Sequence, residues 1–190
     1  DLSRDSIKNQ FEVNVFGALD LTNQLIPHLC KKTKGRIVYI SSLVGRLSLP
    51  FMGIYSASKF AIEAIADAQR VELSMTSVKV VLVEPGPIGT KFSSSCAYYG
   101  EKILQNSESR FTNLYKNYFE KRRNGDMAED LFRLSPDAVA YKILHALESK
   151  NPKLRYKVTI PTYIADLVVR FFPNRLRDLI IKKQILRRFG

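Results

Sequence analysis

Hydrophobic positions in the first half of the chain alternate between helical spacing and short continuous runs. Residues 3–32 carry large apolar side chains near intervals of three or four, which predicts one long helix. Residues 36–40 and 78–83 are β-branched runs bounded by glycine, serine or proline, and they predict buried strands. The segment between them, residues 54–74, has helical spacing. This order predicts a βαβ unit with two parallel strands.

The second half of the chain is richer in aromatic and basic side chains. Residues 93–100 have the serine- and glycine-containing composition of a loop, whereas 101–123 show apolar residues at helical spacing. A Ser-Pro pair predicts the start of a helix over 135–148. Residues 155–160 predict a third strand, and 161–188 predict one or two amphipathic helices, broken at a proline.

Composition and charge narrow the class of protein. The chain has 190 residues, 45% of them hydrophobic, and a net charge of +12, which is typical of a globular domain rather than a disordered one. Residues 151–190 hold ten basic and two acidic residues, so the charge is concentrated in this tail and does not indicate a nucleic-acid-binding body. Two cysteines and two histidines exclude a disulfide framework and predict no metal site. Apolar runs are too short to span a bilayer, and we expect an intracellular protein.

One stretch carries residues suited to acid–base chemistry. Tyr55 and Lys59 are four apart at the start of a predicted helix, so they face the same side. A lysine cation one turn away is expected to lower the pKa of the phenol toward the working pH. Ser42 follows a predicted strand 13 residues before Tyr55 and is suited to bind the same substrate oxygen; Ser41 lacks this spacing. Such Tyr–Lys pairs are also common on exposed helices, where the lysine is merely solvated.

Four motifs in order and spacing resemble the classical short-chain dehydrogenase/reductase family. They are Asn14-Val-Phe-Gly17, Gly35-Arg-Ile-Val-Tyr-Ile-Ser-Ser42, Tyr55-Ser-Ala-Ser-Lys59, and Pro85-Gly86 followed by Thr90. The resemblance covers residues 1–95. A weaker resemblance, to the 17β-hydroxysteroid and retinol dehydrogenases, rests on Leu49-Pro50-Phe51 and on Glu84-Pro85-Gly86-Pro87.

The resemblance implies an α/β fold with a Rossmann-type, doubly wound parallel sheet. Residues 1–160 would be the C-terminal part of that domain, with 91–134 as a region that covers the substrate, and 161–190 would be a basic helical extension. The aromatic stripe from Phe111 to Phe119 fits a lid and a core equally well. The family's glycine-rich phosphate-binding turn has no counterpart, because no two glycines stand two apart. We therefore expect that this chain lacks the N-terminal cofactor half of the domain and binds cofactor poorly by itself.

The resemblance also implies a role for each matching residue. Tyr55 would be the catalytic acid or base, and Lys59 would lower its pKa and bind the nicotinamide ribose. Ser42 would polarise the substrate carbonyl, and Asn14 would hold a water in a proton relay through Lys59. The nicotinamide would lie against Pro85, Gly86, Ile88 and Thr90.

The expected activity is NAD- or NADP-dependent interconversion of an alcohol and a ketone or aldehyde, with NADP slightly favoured. The substrate is expected to be lipophilic and steroid-, retinoid- or lipid-like. The amphipathic basic tail fits peripheral membrane contact, which is slightly favoured, and also packing on the parent domain or on a second subunit. A homo-oligomer is expected. The alternative is a truncated or degenerate paralogue without catalysis, which uses the fold for protein or membrane contact.

Overall fold

A computed structural model describes residues 2–105, 109–125 and 131–189. Three parallel strands form one sheet in the order β1-β2-β3. They are β1 (Arg36–Ile40), β2 (Lys79–Glu84) and β3 (Arg155–Lys157). Ile37 is paired with Val80, and Val83 with Tyr156, so β2 lies in the middle. The predicted parallel βαβ unit is confirmed.

Helices surround this sheet and account for most of the described chain. Their bounds are α1 (Arg4–Phe11), α2 (Gly17–Leu29), α3 (Gly53–Glu72), α4 (Phe92–Gln105), α5 (Thr112–Asn124), α6 (Pro136–Glu148), α7 (Ile160–Phe171) and α8 (Asn174–Phe189). A π-helical turn, Glu12–Phe16, joins α1 to α2. The single helix predicted over residues 3–32 is therefore two α-helices with a π turn between them.

Both faces of the sheet are covered. On one face, Ile37, Tyr39 and Leu82 pack with Ile62 and Ala66 of α3. On the other face, Val81, Val83 and Tyr156 pack against Ala146 of α6. Helices on both sides of a parallel sheet confirm the burial that the continuous apolar strands predicted and the doubly wound α/β class that the resemblance implied.

Two further segments differ from the prediction. Residues 93–100 were expected to be a loop, but they lie inside α4. Gly100 has a packing role there, because a Cβ at this position would collide with the ring of Phe119 on α5. The third strand ends at Lys157 rather than at residue 160, since Thr159 is already the N-cap of α7 and Pro161 lies in its first turn.

The C-terminal segment forms two helices separated near Pro173, as the pattern predicted. The first of them, α7, packs on the body of the protein through Thr162 and Ala165, which are buried. None of the described helices combines the length and the hydropathy that a membrane span requires.

Candidate active site

A cavity of about 890 Å³ opens at the carboxyl ends of β1 and β2. Ligands of open α/β sheets bind outside these strand ends, because the loops that follow the strands converge there. The walls come from the loop after β1, the start of α3, the segment after β2, and helices α4 to α8. Most lining side chains are apolar, including Leu47, Leu49, Met52, Phe132, Ile143 and Val168.

The fold brings most of the sequence-predicted site residues to this cavity. Its lining includes Ser42, Tyr55, Lys59, Pro85, Gly86, Ile88 and Thr90. Asn14 does not line it. Across residues 2–105, 109–125 and 131–189, no group of three or more His, Cys, Asp or Glu side chains is arranged to hold a metal ion.

Tyr55 lies at the start of α3, and its environment disfavours the phenolate. Burial raises the pKa of Tyr55, whereas a hydrogen bond with Ser42 lowers it. The Phe92 ring packs on the phenol with 5.5 Å between the ring centroids. The Ser42 hydroxyl also accepts a hydrogen bond from the Val44 N–H at 3.3 Å, which positions the serine beside the tyrosine. Ser42, not Ser41, is thus the serine that faces the phenol.

Lys59 is held beside Tyr55 by the end of β1. Its Nζ donates a hydrogen bond to the Ile40 carbonyl at 3.0 Å and lies 5.7 Å from the centroid of the Tyr55 ring. Burial lowers the pKa of this amine. Burial is the largest cause of the shift in the pKa of Tyr55, and the expected lowering of that pKa by Lys59 stays a prediction. The hydrogen bond to the end of β1 fixes the amine beside the phenol.

Asn14 reaches the site indirectly. It lies in the π-helical turn, a distortion that is frequent at functional sites. Its Nδ2 donates to the Ser58 hydroxyl at 3.0 Å, and that hydroxyl donates to the Tyr55 carbonyl at 2.7 Å. Asn14 therefore supports the backbone that carries Tyr55. Its proposed role in a water relay stays a prediction.

The segment after β2 is held close to neighbouring elements. The Leu43 N–H donates to the Pro85 carbonyl at 2.8 Å, which ties the loop after β1 to the end of β2. A Cβ on Gly86 would collide with the Thr159 hydroxyl and lie 2.8 Å from that of Thr162. Glycine at this position thus allows the start of α7 to approach the strand end. The Thr90 hydroxyl accepts a hydrogen bond from the backbone N–H of Phe92 at 3.2 Å.

Sequence reasoning missed two arginines. Arg122 of α5 lines the cavity and is buried, although its sequence context, Lys121-Arg-Arg123, resembles a solvated helix end. Arg155 was counted with the basic tail but lies in an ion cluster with Glu63, Asp67 and Glu84. Burial and pairing of this kind depend on tertiary packing, and no local pattern signals them.

The family model described as short chain dehydrogenase matches residues 1–97, about half of the chain. The chain belongs to the short chain dehydrogenase family.

Relatives and solved structures agree with this membership. An uncharacterized oxidoreductase of Escherichia coli K12, YbbO, is 37% identical over 95% of this chain and 61% of its own length. Human retinol dehydrogenase 16 is 30% identical over 95% of this chain and 57% of its own, in line with the narrower resemblance. A short chain dehydrogenase from Burkholderia cenocepacia J2315 in complex with NADP, 21% identical, superposes with a TM-score of 0.64 over 93% of this chain and 61% of that one. The chain thus spans about three fifths of the length of these proteins.

Proposed function

We propose that the chain carries the catalytic part of an NAD(P)-dependent oxidoreductase that interconverts an alcohol and a carbonyl group on a lipophilic substrate. The observation that carries this proposal is the convergence of Ser42, Tyr55 and Lys59 on one mostly apolar cavity. Three polar groups at the wall of an apolar cavity fit a substrate with one reacting oxygen on a hydrocarbon body.

The proton chemistry is assigned to Tyr55. Burial raises its pKa, so the phenol is protonated at neutral pH and can donate to a carbonyl oxygen during reduction. Ser42, on the cavity wall beside it, would bind the same oxygen and orient the carbonyl. Asn14, through Ser58, would hold the backbone of Tyr55 in place. Lys59 would place a positive charge where negative charge develops in the transition state.

The nicotinamide end of NAD or NADP fits the groups that are present. The hydroxyls of a ribose need hydrogen-bond partners, and the Lys59 amine at the cavity wall can be one. A carboxamide needs backbone and hydroxyl partners, and the backbone at Ile88 and the hydroxyl of Thr90 lie along the same wall. The cofactor, when bound, supplies or accepts the hydride. The neighbour crystallised with NADP supports this class of cofactor, and the choice between NADP and NAD is left open.

The proposal of a lipophilic substrate rests on the walls of the cavity. The lining includes Leu47, Leu49 and Met52 from the segment between β1 and α3, and Ile164 and Val168 from α7. Burial of hydrocarbon against such walls contributes about 25 cal/mol per Å². The relative named as a retinol dehydrogenase is consistent with a substrate of this kind.

We also propose that the tail contacts an anionic membrane surface. Leu167, Phe171 and Leu179 are 55%, 69% and 63% exposed, although the other side of both helices lines the cavity. Lys182 and Lys183 are exposed on α8. Exposed apolar residues beside basic ones are typical of interfacial helices. Pairing of two copies through the same surface would produce the expected homo-oligomer instead.

The test of the activity is Tyr55→Phe, in the protein at the full length that its gene encodes. Phenylalanine keeps the ring packing against Phe92 and removes only the hydroxyl. The rate at which a panel of aliphatic, steroid and retinoid ketones and aldehydes is reduced can be measured by the oxidation of NADPH and NADH. This rate should fall about 10²- to 10⁴-fold in the variant. Tyr141→Phe is the matched control, because Tyr141 is exposed on α6 and does not line the cavity.

Two results would contradict the proposal. Near-normal turnover by Tyr55→Phe would remove Tyr55 from the chemistry. Absence of both turnover and cofactor binding in the wild-type protein would favour the non-catalytic alternative, in which the fold serves protein or membrane contact.

A further inference from the structure

Arg122 is a buried cation at the wall of the cavity. It lies near the end of α5 and is 8% exposed. One of its terminal nitrogens donates a hydrogen bond to the Tyr118 hydroxyl at 3.0 Å, and its Nε has no hydrogen-bond partner. The side chain also interacts with the Cys96 thiol. These partners are neutral, so the positive charge of Arg122 is not balanced by them.

A second buried arginine of the same molecule shows the usual arrangement. Arg155 contacts three carboxylates, those of Glu63, Asp67 and Glu84. Buried charges are normally paired in this way, because transfer of an isolated ion out of water is very costly. In the described part of the chain, Arg122 forms no salt bridge. Within the described residues, therefore, no carboxylate balances the charge of Arg122.

The cavity itself provides no such counter-charge. Among the described residues, its lining includes Lys59, Arg122, Arg133 and Arg177 but no aspartate or glutamate. Arg122 instead lies against aromatic faces, with its Cζ 5.9 Å from the Phe92 ring centroid and 5.8 Å from that of Tyr118. These rings stabilise a cation and leave its N–H groups available to an anion that enters the cavity.

We propose that Arg122 binds an anionic group of the substrate, so that the enzyme acts on lipophilic alcohols or ketones that carry a carboxylate or a similar anion. This proposal rests on the proposed function. It makes Arg122 a specificity-determining residue at the side of the cavity that faces α4 and α5.

The position of Arg122 relative to the chemistry supports this role. The Phe92 ring packs near both groups, with its centroid 5.5 Å from that of the Tyr55 ring and 5.9 Å from the guanidinium carbon. Arg122 also interacts electrostatically with the Tyr55 phenol. Both residues line the same cavity, so one substrate could contact Tyr55 with its oxygen and Arg122 with its anion.

The test measures binding directly and does not require turnover. Octanoate and octanamide have the same length and shape but differ in charge, so calorimetry of both isolates the effect of the anion. Wild-type protein should bind octanoate about tenfold to a hundredfold more tightly than octanamide, as expected for a charge-assisted contact with a buried arginine. Arg122→Met should abolish this preference. Arg123→Met is the matched control, since Arg123 is the neighbouring, more exposed arginine paired with Glu101.

The outcomes separate this proposal from the proposed function. Equal affinity of the wild-type protein for octanoate and octanamide would overturn the role of Arg122, whatever the activity of the protein. This measurement uses only the wild-type protein and so does not depend on whether a variant folds. A loss of NADPH affinity in Arg122→Met, with the octanoate preference intact, would also overturn it, because the arginine would then serve the cofactor. A charge preference that depends on Arg122, in a protein without oxidoreductase turnover, would support the anion site and contradict the proposed function.

Discussion

Replacement of Arg155 by methionine should destabilise the protein strongly. Arg155 begins β3, and its guanidinium contacts Glu84 at 2.7 Å and Asp67 at 2.8 Å, and also Glu63. Glu84 is completely buried, and Glu63 is nearly so. Methionine keeps an unbranched apolar stem but removes the guanidinium, so both buried carboxylates are left without their cation.

The magnitude follows from this burial. Removal of one partner from a buried ion pair typically costs about 3–5 kcal/mol, because the remaining charge is desolvated and uncompensated. Arg70→Met is the matched control on the same side of the molecule. Arg70 pairs with the half-exposed Asp67 one turn away on α3, and such a surface pair contributes at most about 1 kcal/mol.

The loss of stability should depend on pH. Burial already raises the pKa of Glu63, and Arg155 acts in the opposite direction. Without Arg155 the folded-state pKa of Glu63 rises further above its unfolded value. Below the pKa of the unfolded state such a carboxyl is neutral in both states and has little effect on the free energy of unfolding. As the pH rises through the folded-state pKa, it destabilises the fold. The difference between the variant and the wild-type protein should therefore be small near pH 4 and large at pH 7.

Urea denaturation followed by circular dichroism at several pH values would measure this difference. The variant Arg155→Met with Glu63→Gln should regain part of the lost stability at pH 7, because one buried charge is removed with its partner. A difference below about 1 kcal/mol at pH 7, equal to that of Arg70→Met, would refute the reasoning. A difference that did not vary with pH would show that the buried carboxylates are not its cause.

Three further predictions follow from the site and the tail. Lys59→Met should weaken NADPH binding, measured by fluorescence titration, whereas Lys150→Met, outside the cavity, should not. Equal NADPH affinities of the two variants would leave Lys59 without a role in cofactor binding. Burial raises the pKa of Tyr55, so ketone reduction should decline only at alkaline pH. Ser42→Ala removes a hydrogen bond that lowers this pKa and should therefore move the decline to higher pH. An unchanged pH profile would contradict the hydrogen bond between Ser42 and Tyr55. The protein should sediment with anionic but not neutral vesicles in a salt-sensitive way, weakened by Lys183→Glu; sedimentation that ignores lipid charge would favour packing between copies.

The segments that line the cavity were recognisable in the sequence, whereas the role of each residue rested on the family resemblance. The strand before Ser42, the helix that begins near Tyr55 and the turn at Pro85 each have a short-range signature, and the parallel order brings their ends together. The prediction failed where serines and a glycine suggested a loop at 93–100. There, Gly100 lets α4 pack against α5, and this tertiary contact outweighs the composition of the segment.

Charges were the least predictable feature, because the same residue type has opposite meanings in different surroundings. Arg155 appears in the sequence as one of ten basic residues of a tail, yet it is paired with carboxylates from α3 and β2. Arg122 appears as a helix-end cation, yet it is buried beside aromatic rings. Whether a cation is solvated, paired or unbalanced depends on which elements fold over it.

The ion cluster also connects stability to the site. Glu63 lies one helical turn after Lys59 on α3, and Glu84 immediately precedes Pro85 at the end of β2. By holding both carboxylates, Arg155 joins the helix that carries the proposed acid–base pair to the strand that leads into the proposed nicotinamide wall. A charge cluster that holds two functional elements in register restricts their relative movement, and precise placement is the main contribution that a protein makes to cofactor-dependent chemistry. Variants of this cluster should therefore lower turnover even at temperatures where the protein remains folded.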